Sequence, residues 1–124
     1  MIVLDTSVLL RFFTQDNKNK AEKVRNLLLS RENLLLIDAV LLELVFTSMK
    51  VYKQSKTQIL EMLKFLLARI NIQISQEIRK AVKIYEHTNV SITDSLVVAY
   101  GEGNKIASFD DQLLKVGGVK SHWL

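Results

Sequence analysis

Short apolar runs alternate along the chain with longer segments in which apolar residues recur at helical spacing. Mostly apolar runs over residues 2–4, 34–37 and 106–109 predict short strands, and we expect the first of them to be buried. Alternating isoleucines over 70–74 predict another short strand, and Val119 is a candidate edge strand after two glycines. The pattern therefore predicts several short strands separated by helices.

Helical spacing and polar capping residues place the intervening helices. The predicted helices start after Thr6-Ser7, after a cap at Asp16, near Ala39, after a capping box of Ser55 and Gln58, at Ser75, near Ser91 and at Asp111. The third is expected to end near Tyr52, and the apolar stripe of the fourth to reach Ile70. Strands that alternate with helices pair in parallel through helical crossovers. The sequence therefore predicts one domain over residues 1–124, an α/β/α sandwich of three layers with a short parallel central sheet.

Composition narrows the class of protein. The chain contains no cysteine, which excludes a disulfide scaffold, a thiolate zinc site and a cysteine nucleophile. Hydrophobic residues make up 48% of the chain and charged residues 24%, a balance typical of a folded protein. The first residues lack the basic start of a signal peptide, and the most apolar window, 34–49, contains Asp38 and Glu43. We therefore expect a cytoplasmic protein that does not span a membrane.

The charge balance points to a polyanionic partner. Seventeen basic residues against thirteen acidic ones give a net charge of +4. The basic residues gather in two stretches, which contain Lys18, Lys20, Lys23 and Arg25, then Lys50, Lys53 and Lys56. A basic surface attracts nucleic acid, but such stretches are also typical of solvated helix faces. Charge alone leaves both interpretations open.

Acidic residues follow two of the predicted strands. Asp5 comes directly after the first strand, and Asp110 follows a late one. Ligands bind beyond the carboxyl ends of parallel strands, so we expect both carboxylates to project from the same edge of the sheet. The alternative is that each aspartate only caps the helix behind it.

Two further acids lie on predicted helices. Glu43 stands among apolar residues on both sides, so we expect it to be buried and to need a compensating cation or hydrogen-bond donors. A lysine or arginine from a neighbouring helix is the alternative partner. Asp94 matches a capping box with Ser91, which explains it on local grounds alone.

A meeting of Asp5, Glu43, Asp94 and Asp110 would require a counter-charge, because the carboxylates repel one another. Carboxylates suit Mg²⁺ or Mn²⁺, whereas His87 and His122 are isolated and offer no zinc site. A divalent ion held in this way can activate water and stabilise charge on a phosphodiester. The four acids therefore indicate a site for metal-dependent phosphodiester cleavage.

The same residues resemble the motifs of the PIN-domain family of metal-dependent ribonucleases, and within it the VapC-like toxins of prokaryotic toxin–antitoxin pairs. The resemblance covers almost the whole chain. Its segments are residues 2–11 with the first acid, 40–44 with the second, 93–96 with the third and 108–110 with the closing motif. Ser91 departs from the pattern, because many relatives carry another aspartate there. Asp111 stands where relatives are often basic or variable, so we treat it as a possible cap.

The resemblance implies an endoribonuclease that depends on Mg²⁺ or Mn²⁺, cleaves RNA, forms a homodimer and is inhibited by a VapB-like antitoxin. It assigns the metal and the catalysis to the four acids and a supporting role to nearby hydroxyls, those of Thr6, Ser7 and Ser108. These hydroxyls are equally well explained as caps of the adjoining turns. Ser91 in place of an acid implies a weaker metal site or a single ion.

Two other classes of function compete with this one. A phosphotransfer module also has an aspartate after an early strand. A phosphatase of that type requires a second aspartate where this chain has Ser7, and a receiver domain requires paired acids that are missing here. The remaining alternative is a catalytically silent PIN-like scaffold that binds RNA or protein.

Apolar residues crowd the first and third predicted helices. They are Leu9, Leu10, Phe12, Phe13, Leu44, Val45 and Phe46. Most are expected in the core. We expect the rest to form an exposed groove for the antitoxin's amphipathic helix or for a second copy of the chain.

Overall fold

The computed structural model describes residues 1–123, which fall into two compact units, Met1–Ser75 and the segment from Gln76 onward. The first unit contains strands β1 (Ile2–Val3), β2 (Leu34–Leu35) and β3 (Ile72–Gln73), with helices α1 (Thr6–Thr14), α2 (Lys18–Leu28), α3 (Asp38–Lys50) and α4 (Lys56–Ala68). The second unit contains helices α5 (Gln76–His87), α6 (Ile92–Tyr100) and α7 (Asp111–Leu114). None of the helices in residues 1–123 is long and apolar enough to cross a membrane. The single domain over residues 1–124 stays a prediction.

The first unit is built on a parallel sheet in the order β1-β2-β3. Ile2 lies opposite Leu34, which in turn lies opposite Ile72. Helices α1 and α2 connect the first pair of strands, and α3 and α4 connect the second. Because parallel strands need such helical crossovers, the structure confirms the predicted α/β class with a short parallel sheet.

Burial in β1 differs from the expectation. Ile2 and Val3 are exposed, and Leu4, directly after the strand, is the residue that is buried. Among the described residues β1 pairs on one side only, with β2, so it is an edge strand of this sheet. The prediction of a buried first strand was therefore wrong, although the strand itself is present.

Helix packing supplies the core of the first unit. Helix α1 packs against α2 and α3, and α3 packs against α4. The fully buried side chains include Leu9, Leu28, Leu34, Leu36, Leu41, Leu44, Ile59, Leu63 and Leu66. Burial of each such side chain contributes about 1.5–3 kcal/mol. The predicted capping box of α4 is confirmed, because Ser55 and Gln58 each accept a hydrogen bond from the other's backbone N–H, at 3.2 and 2.9 Å.

Two helix ends differ from the sequence prediction. Asn17, not Asp16, caps α2, and its side-chain oxygen accepts a hydrogen bond from the Lys20 N–H at 3.0 Å. Asp16 instead pairs with Arg11 at 3.1 Å. Helix α4 ends at Ala68 because the next residue is extended, so Ile70 falls outside the apolar stripe and is 99% exposed.

The second unit consists of three helices and the segments that join them. Helix α5 packs against α6, and α6 against α7. Val98, Ile106 and Leu113 form a small buried cluster against which Ile84 packs. This cluster fixes the C-terminal part of the chain onto α6.

The strand predicted over 106–109 is not formed. Only an isolated parallel bridge joins Ile106 to Ser121, and Val119 is not in a strand either. Residues 107–110 pair with no other segment of the described chain, and Ala107 and Phe109 are exposed, so burial does not favour a longer ladder there.

We expect Gly101→Ala to destabilise the protein by about 1–3 kcal/mol, the usual result of overpacking a core. A Cβ on Gly101 would overlap the Cγ1 and Cδ1 atoms of the buried Ile106. Urea unfolding measures the effect. In an Ile106→Ala background both overlapping atoms are gone, so most of the added cost should disappear. Equal costs in the two backgrounds would contradict this packing.

Candidate active site

Asp5 lies directly after β1 and caps α1. Its Oδ2 accepts hydrogen bonds from the Ser7 hydroxyl at 2.6 Å and from the Ser7 N–H at 3.3 Å. The hydroxyl, followed by that N–H, holds the pKa of this exposed carboxyl below its ordinary value, and the backbone N–H of Thr6 adds to the effect. Asp5 therefore caps α1, as predicted, and its carboxylate is open to solvent.

Glu43 lies in the middle of α3 on its exposed side. The buried residues of this helix are Leu41, Leu44, Val45 and Ser48. They recur at helical spacing, which leaves Glu43 on the opposite face. The prediction of a buried Glu43 was therefore wrong. Apolar neighbours in sequence exaggerated its burial, and no cation pairs with it in the described part of the chain.

Asp94 lies in the first turn of α6 and is half-buried. Its backbone N–H donates to the Ser91 hydroxyl at 3.0 Å, so Ser91 caps the helix as predicted. The Asp94 carboxylate is favoured by the positive end of the helix. Ser91, the residue that departs from the motif described above, is therefore a helix cap in this structure.

Asp110 caps α7 and is exposed. Its Oδ1 accepts hydrogen bonds from the backbone N–H groups of Gln112 at 2.9 Å and Leu113 at 3.2 Å. Asp111 was predicted as a possible cap, and this is wrong, because Asp110 has that position and Asp111 begins the helix. Nothing in the described residues donates to the second carboxylate oxygen of Asp110, Oδ2.

The four acids are divided between the two units. Asp5 and Glu43 belong to the first unit, where α1 packs against α3, and Asp94 and Asp110 belong to the second, where α6 packs against α7. Within residues 1–123, no three Asp, Glu or His side chains are grouped so that they could hold a metal ion. The meeting of all four carboxylates therefore stays a prediction.

The chemistry of the donor set fits a hard divalent cation. All four candidates are carboxylates, and three of them, Asp5, Glu43 and Asp110, are exposed. Oxygen ligands of this kind suit Mg²⁺ and Mn²⁺. By donor type, then, the residues match the ion that the sequence predicts.

The structure adds a second acid at the edge of the sheet, beside Asp5, which the sequence analysis did not include among the candidates. Asp38 follows β2 as Asp5 follows β1, and the hydroxyl of Ser75, after β3, donates to the Asp38 Oδ1 at 2.8 Å. The signal was present in the sequence, since the apolar run over 34–37 ends at an acid. A polar side chain therefore follows every strand of this sheet.

Basic residues line a groove beside α1. This groove, of about 290 Å³, is bounded by Ser7, Val8, Arg11, Lys20, Lys23 and Val24. Ser7 is the residue that hydrogen-bonds to Asp5, so the groove adjoins the first candidate acid. Lys20 and Lys23 are exposed members of the first basic stretch. That stretch is a solvated helix face, as one of the two interpretations predicted, and part of it also lines a groove.

Comparison with known proteins gives the chain a family. No curated protein matches the sequence. The family model of the PIN domain matches residues 2–119, which is nearly the whole described chain. The match spans all three strands and all seven helices of residues 1–123. The chain therefore belongs to the PIN domain family.

Proposed function

We propose that this protein is an endoribonuclease that depends on Mg²⁺ or Mn²⁺ and acts as the toxin of a VapBC-type toxin–antitoxin system. The observation that carries the proposal is the PIN-domain match over residues 2–119, because PIN domains are generally nucleases. Beyond general nuclease activity, the proposal specifies RNA as the substrate, Mg²⁺ or Mn²⁺ as the metal and a toxin as the biological role. It places the protein in the cytoplasm, where its RNA substrates are.

The proposed metal ligands and catalytic residues are the four acids Asp5, Glu43, Asp94 and Asp110. When bound, Mg²⁺ or Mn²⁺ supplies charge stabilisation to the phosphodiester and makes a neighbouring water more acidic. The protein's contribution is a set of ionised carboxylates that solvent and substrate can reach. The exposure of Asp5, Glu43 and Asp110 supports this role.

Ser7 supports the proposal through Asp5. Its hydroxyl donates to the carboxylate at 2.6 Å and favours the charged form, which is the form that binds a cation. The same bond fixes the orientation of the side chain at the end of β1. We assign Ser7 as a positioning residue. The other two candidate hydroxyls are those of Thr6, next to Asp5, and Ser108, two residues before Asp110. The Ser108 hydroxyl accepts a hydrogen bond from the Asp110 backbone N–H.

The groove beside α1 suits the RNA backbone. Lys20 and Lys23 present positive charge along a surface that begins at Ser7. Phosphates are attracted to such a surface with little dependence on sequence. A strand held there would lie next to Asp5, so binding and cleavage would use adjoining surfaces of the first unit.

A second groove supports the proposed partners, a VapB-like antitoxin and a second copy of the chain. Of the apolar residues that crowd the first and third helices, Leu9, Leu44 and Val45 are buried in the core, as expected for most of them, while Phe46 is 60% exposed. Phe12 and Phe13 are half-buried; Phe12 stacks on Phe65 of α4, and Phe13 contacts both rings edge to face. With Gln54, Gln58, Glu61 and Met62 these three rings line a groove of about 350 Å³. Its aromatic floor and polar rim suit an amphipathic helix.

We expect RNA cleavage that EDTA abolishes and Mg²⁺ or Mn²⁺ restores. Asp5→Asn, Glu43→Gln and Asp94→Asn should each lower the cleavage rate by at least about a hundredfold, the usual effect of losing a charge-stabilising group. The measurement is the cleavage rate of a labelled RNA. Undiminished cleavage by the Asp94→Asn protein would contradict the site assignment.

Asp111→Asn is the matched control, because it removes an equally exposed acid next to Asp110 that lies outside the proposed set. It should leave the rate unchanged.

Millimolar Mg²⁺ should also raise the melting temperature of the protein, because the ion binds the folded state. A melting temperature indifferent to Mg²⁺ would contradict a preformed metal site, and RNA binding without cleavage would favour the silent scaffold.

Ser7→Ala should raise the pKa of Asp5 toward its ordinary value of 3.8, because the largest cause of the lowered pKa is the hydrogen bond from the Ser7 hydroxyl. A group with a lowered folded-state pKa stabilises the fold above its ordinary pKa and loses that contribution as the pH falls through the lowered one. The variant should therefore be less stable than the parent at neutral pH, and the difference should shrink in acid.

Carbon-13 NMR titration of the Asp5 carboxyl measures the pKa, and urea unfolding at neutral and acidic pH measures the stability. Ser7→Thr keeps the hydroxyl and is the control, which should titrate like the parent. A stability difference between Ser7→Ala and the parent that stays constant down to low pH would contradict the linkage.

We also expect the protein to be a dimer at micromolar concentration, which sedimentation equilibrium measures. A second expectation is that the cognate antitoxin inhibits RNA cleavage. The gene immediately upstream should encode a small DNA-binding protein that blocks cleavage and competes with Mg²⁺, because a basic side chain laid over the acids replaces the cation. Sedimentation as a monomer alone would contradict the proposed dimer. An antitoxin that binds and leaves cleavage unchanged would contradict its proposed role as an inhibitor.

A further inference from the structure

Two aromatic side chains of the second unit stack on one another in solvent. The rings of Phe109 and Trp123 are nearly parallel, at 4°, with centroids 5.4 Å apart. Phe109 is nevertheless 88% exposed and Trp123 56% exposed. The pair therefore contributes little to the core and presents aromatic faces to solvent.

The backbone holds this pair in place. The bridge between Ile106 and Ser121 is closed by two hydrogen bonds of 2.8 Å, from the Ile106 N–H to the Lys120 carbonyl and from the His122 N–H to the Ile106 carbonyl. Ile106 is itself buried. Because the bridge is parallel, the residues that follow it on the two segments emerge side by side, which brings the two rings together.

A purely structural role does not account for Phe109. The residue precedes the cap of α7, and an apolar residue there commonly packs against the fourth residue of the helix, here Leu114. Such a staple would cover the ring, whereas Phe109 is almost fully exposed. The backbone at Trp123 is held by a local hydrogen bond, which its backbone N–H donates to the Ser121 hydroxyl at 3.2 Å.

Exposed charges of both signs lie on the same stretch of chain as the two rings, and the lysines among them attract an anionic partner. Lys105, Lys115 and Lys120 are exposed and lie in the stretch 105–123, which contains both rings and also the exposed acids Asp110 and Asp111. Within the described residues none of these lysines forms an ion pair. Asp110, one of the proposed metal ligands, is the next residue after Phe109. An occupant of the pair would therefore lie beside the proposed site of cleavage.

We propose that Phe109 and Trp123 form a platform on which a nucleobase of single-stranded RNA stacks, with the backbone of that RNA near the three lysines and next to Asp110. An aromatic ring offers every base a π-face, so such a platform positions a strand with little regard to sequence. This inference rests on the proposed ribonuclease function and adds to it a position on the protein at which a base of the RNA substrate binds.

The test uses the fluorescence of Trp123, which is the single tryptophan of the chain. An Asp94→Asn protein, in which we expect slow cleavage, is titrated with a single-stranded oligoadenylate and with an abasic ribose-phosphate oligomer of the same length, within a time in which the oligoadenylate stays intact. The oligoadenylate should quench the emission in a saturable way, and the abasic oligomer should not. Equal quenching by the two oligomers would overturn the platform.

Variants of Phe109 in that background separate stacking from simple apolar contact. Phe109→Ala and Phe109→Leu should both raise the dissociation constant for the oligoadenylate about 5- to 100-fold, the effect expected for one stacked base. Phe109→Tyr keeps the ring and should bind like the parent. Ile70→Ala removes an equally exposed apolar side chain elsewhere and should change nothing. Circular dichroism confirms the folding of each variant.

The other possible results of these experiments also distinguish the stacking platform from the proposed ribonuclease function. If Phe109→Leu binds as tightly as the parent, the surface is a general apolar patch of the kind that binds protein, and the platform is wrong. If the unsubstituted protein cleaves RNA and no base-dependent quenching occurs, the platform fails while the proposed function stands. If base-dependent quenching occurs without cleavage, the platform stands and the ribonuclease proposal fails.

Discussion

The register of the parallel sheet is the constraint on which the first half of the molecule depends. Each strand pairs over only two residues, so backbone hydrogen bonds alone hold it weakly. The residues that come next, Leu4, Leu36 and Ile74, are all buried. A slip of one residue would turn these three side chains toward solvent, which fixes the register. The same register brings Asp5, Asp38 and Ser75 to one edge.

Capping and candidate metal binding use the same carboxylates, and the two roles are compatible. A carboxylate has two oxygens with about four sites for accepting bonds. Asp110 uses Oδ1 for both backbone N–H groups of α7, and no donor in residues 1–123 reaches its Oδ2. Asp5 receives both bonds from Ser7 on Oδ2. The capping interpretation, which the sequence offered as the alternative to a site, therefore describes how the side chains are held and leaves acceptor capacity for a cation.

Most of the fold could be predicted because it is encoded locally. The helical stripes, the capping box at Ser55 and the short strands are patterns of neighbouring residues, and the structure contains them. The failures involve burial and competition at longer range. Glu43 was predicted buried from its apolar neighbours, but helical geometry places it outside. The strand over 106–109 is reduced to a single bridge at Ile106, because the residues after it are exposed and pair with no other described segment, which an apolar pattern does not reveal.

The candidate site was predictable only in its residue types. Asp5 and Asp110 could be found because each ends an apolar run, and the same signal would have found Asp38. Phe109 could not be found in this way, because an aromatic residue in an apolar run is expected in the core. Only the structure, in which Phe109 is 88% exposed, shows that the ring faces solvent. Whether residues from the two units share one site depends on tertiary placement, which no local pattern encodes.

Hydrogen bonds between a serine hydroxyl and a residue two positions away occur at three of the exposed positions that the proposals use. The Ser7 hydroxyl donates to the Asp5 carboxylate, and the hydroxyls of Ser108 and Ser121 accept from the backbone N–H groups of Asp110 and Trp123. Such bonds need no burial, so an exposed side chain or the backbone that carries it is held in contact with solvent. The core then fixes only where each segment starts, through Leu4 in one unit and Ile106 in the other. Orientation and stability are therefore separable in this chain, and substitutions at the exposed residues can change what the surface binds while the buried leucines keep the fold.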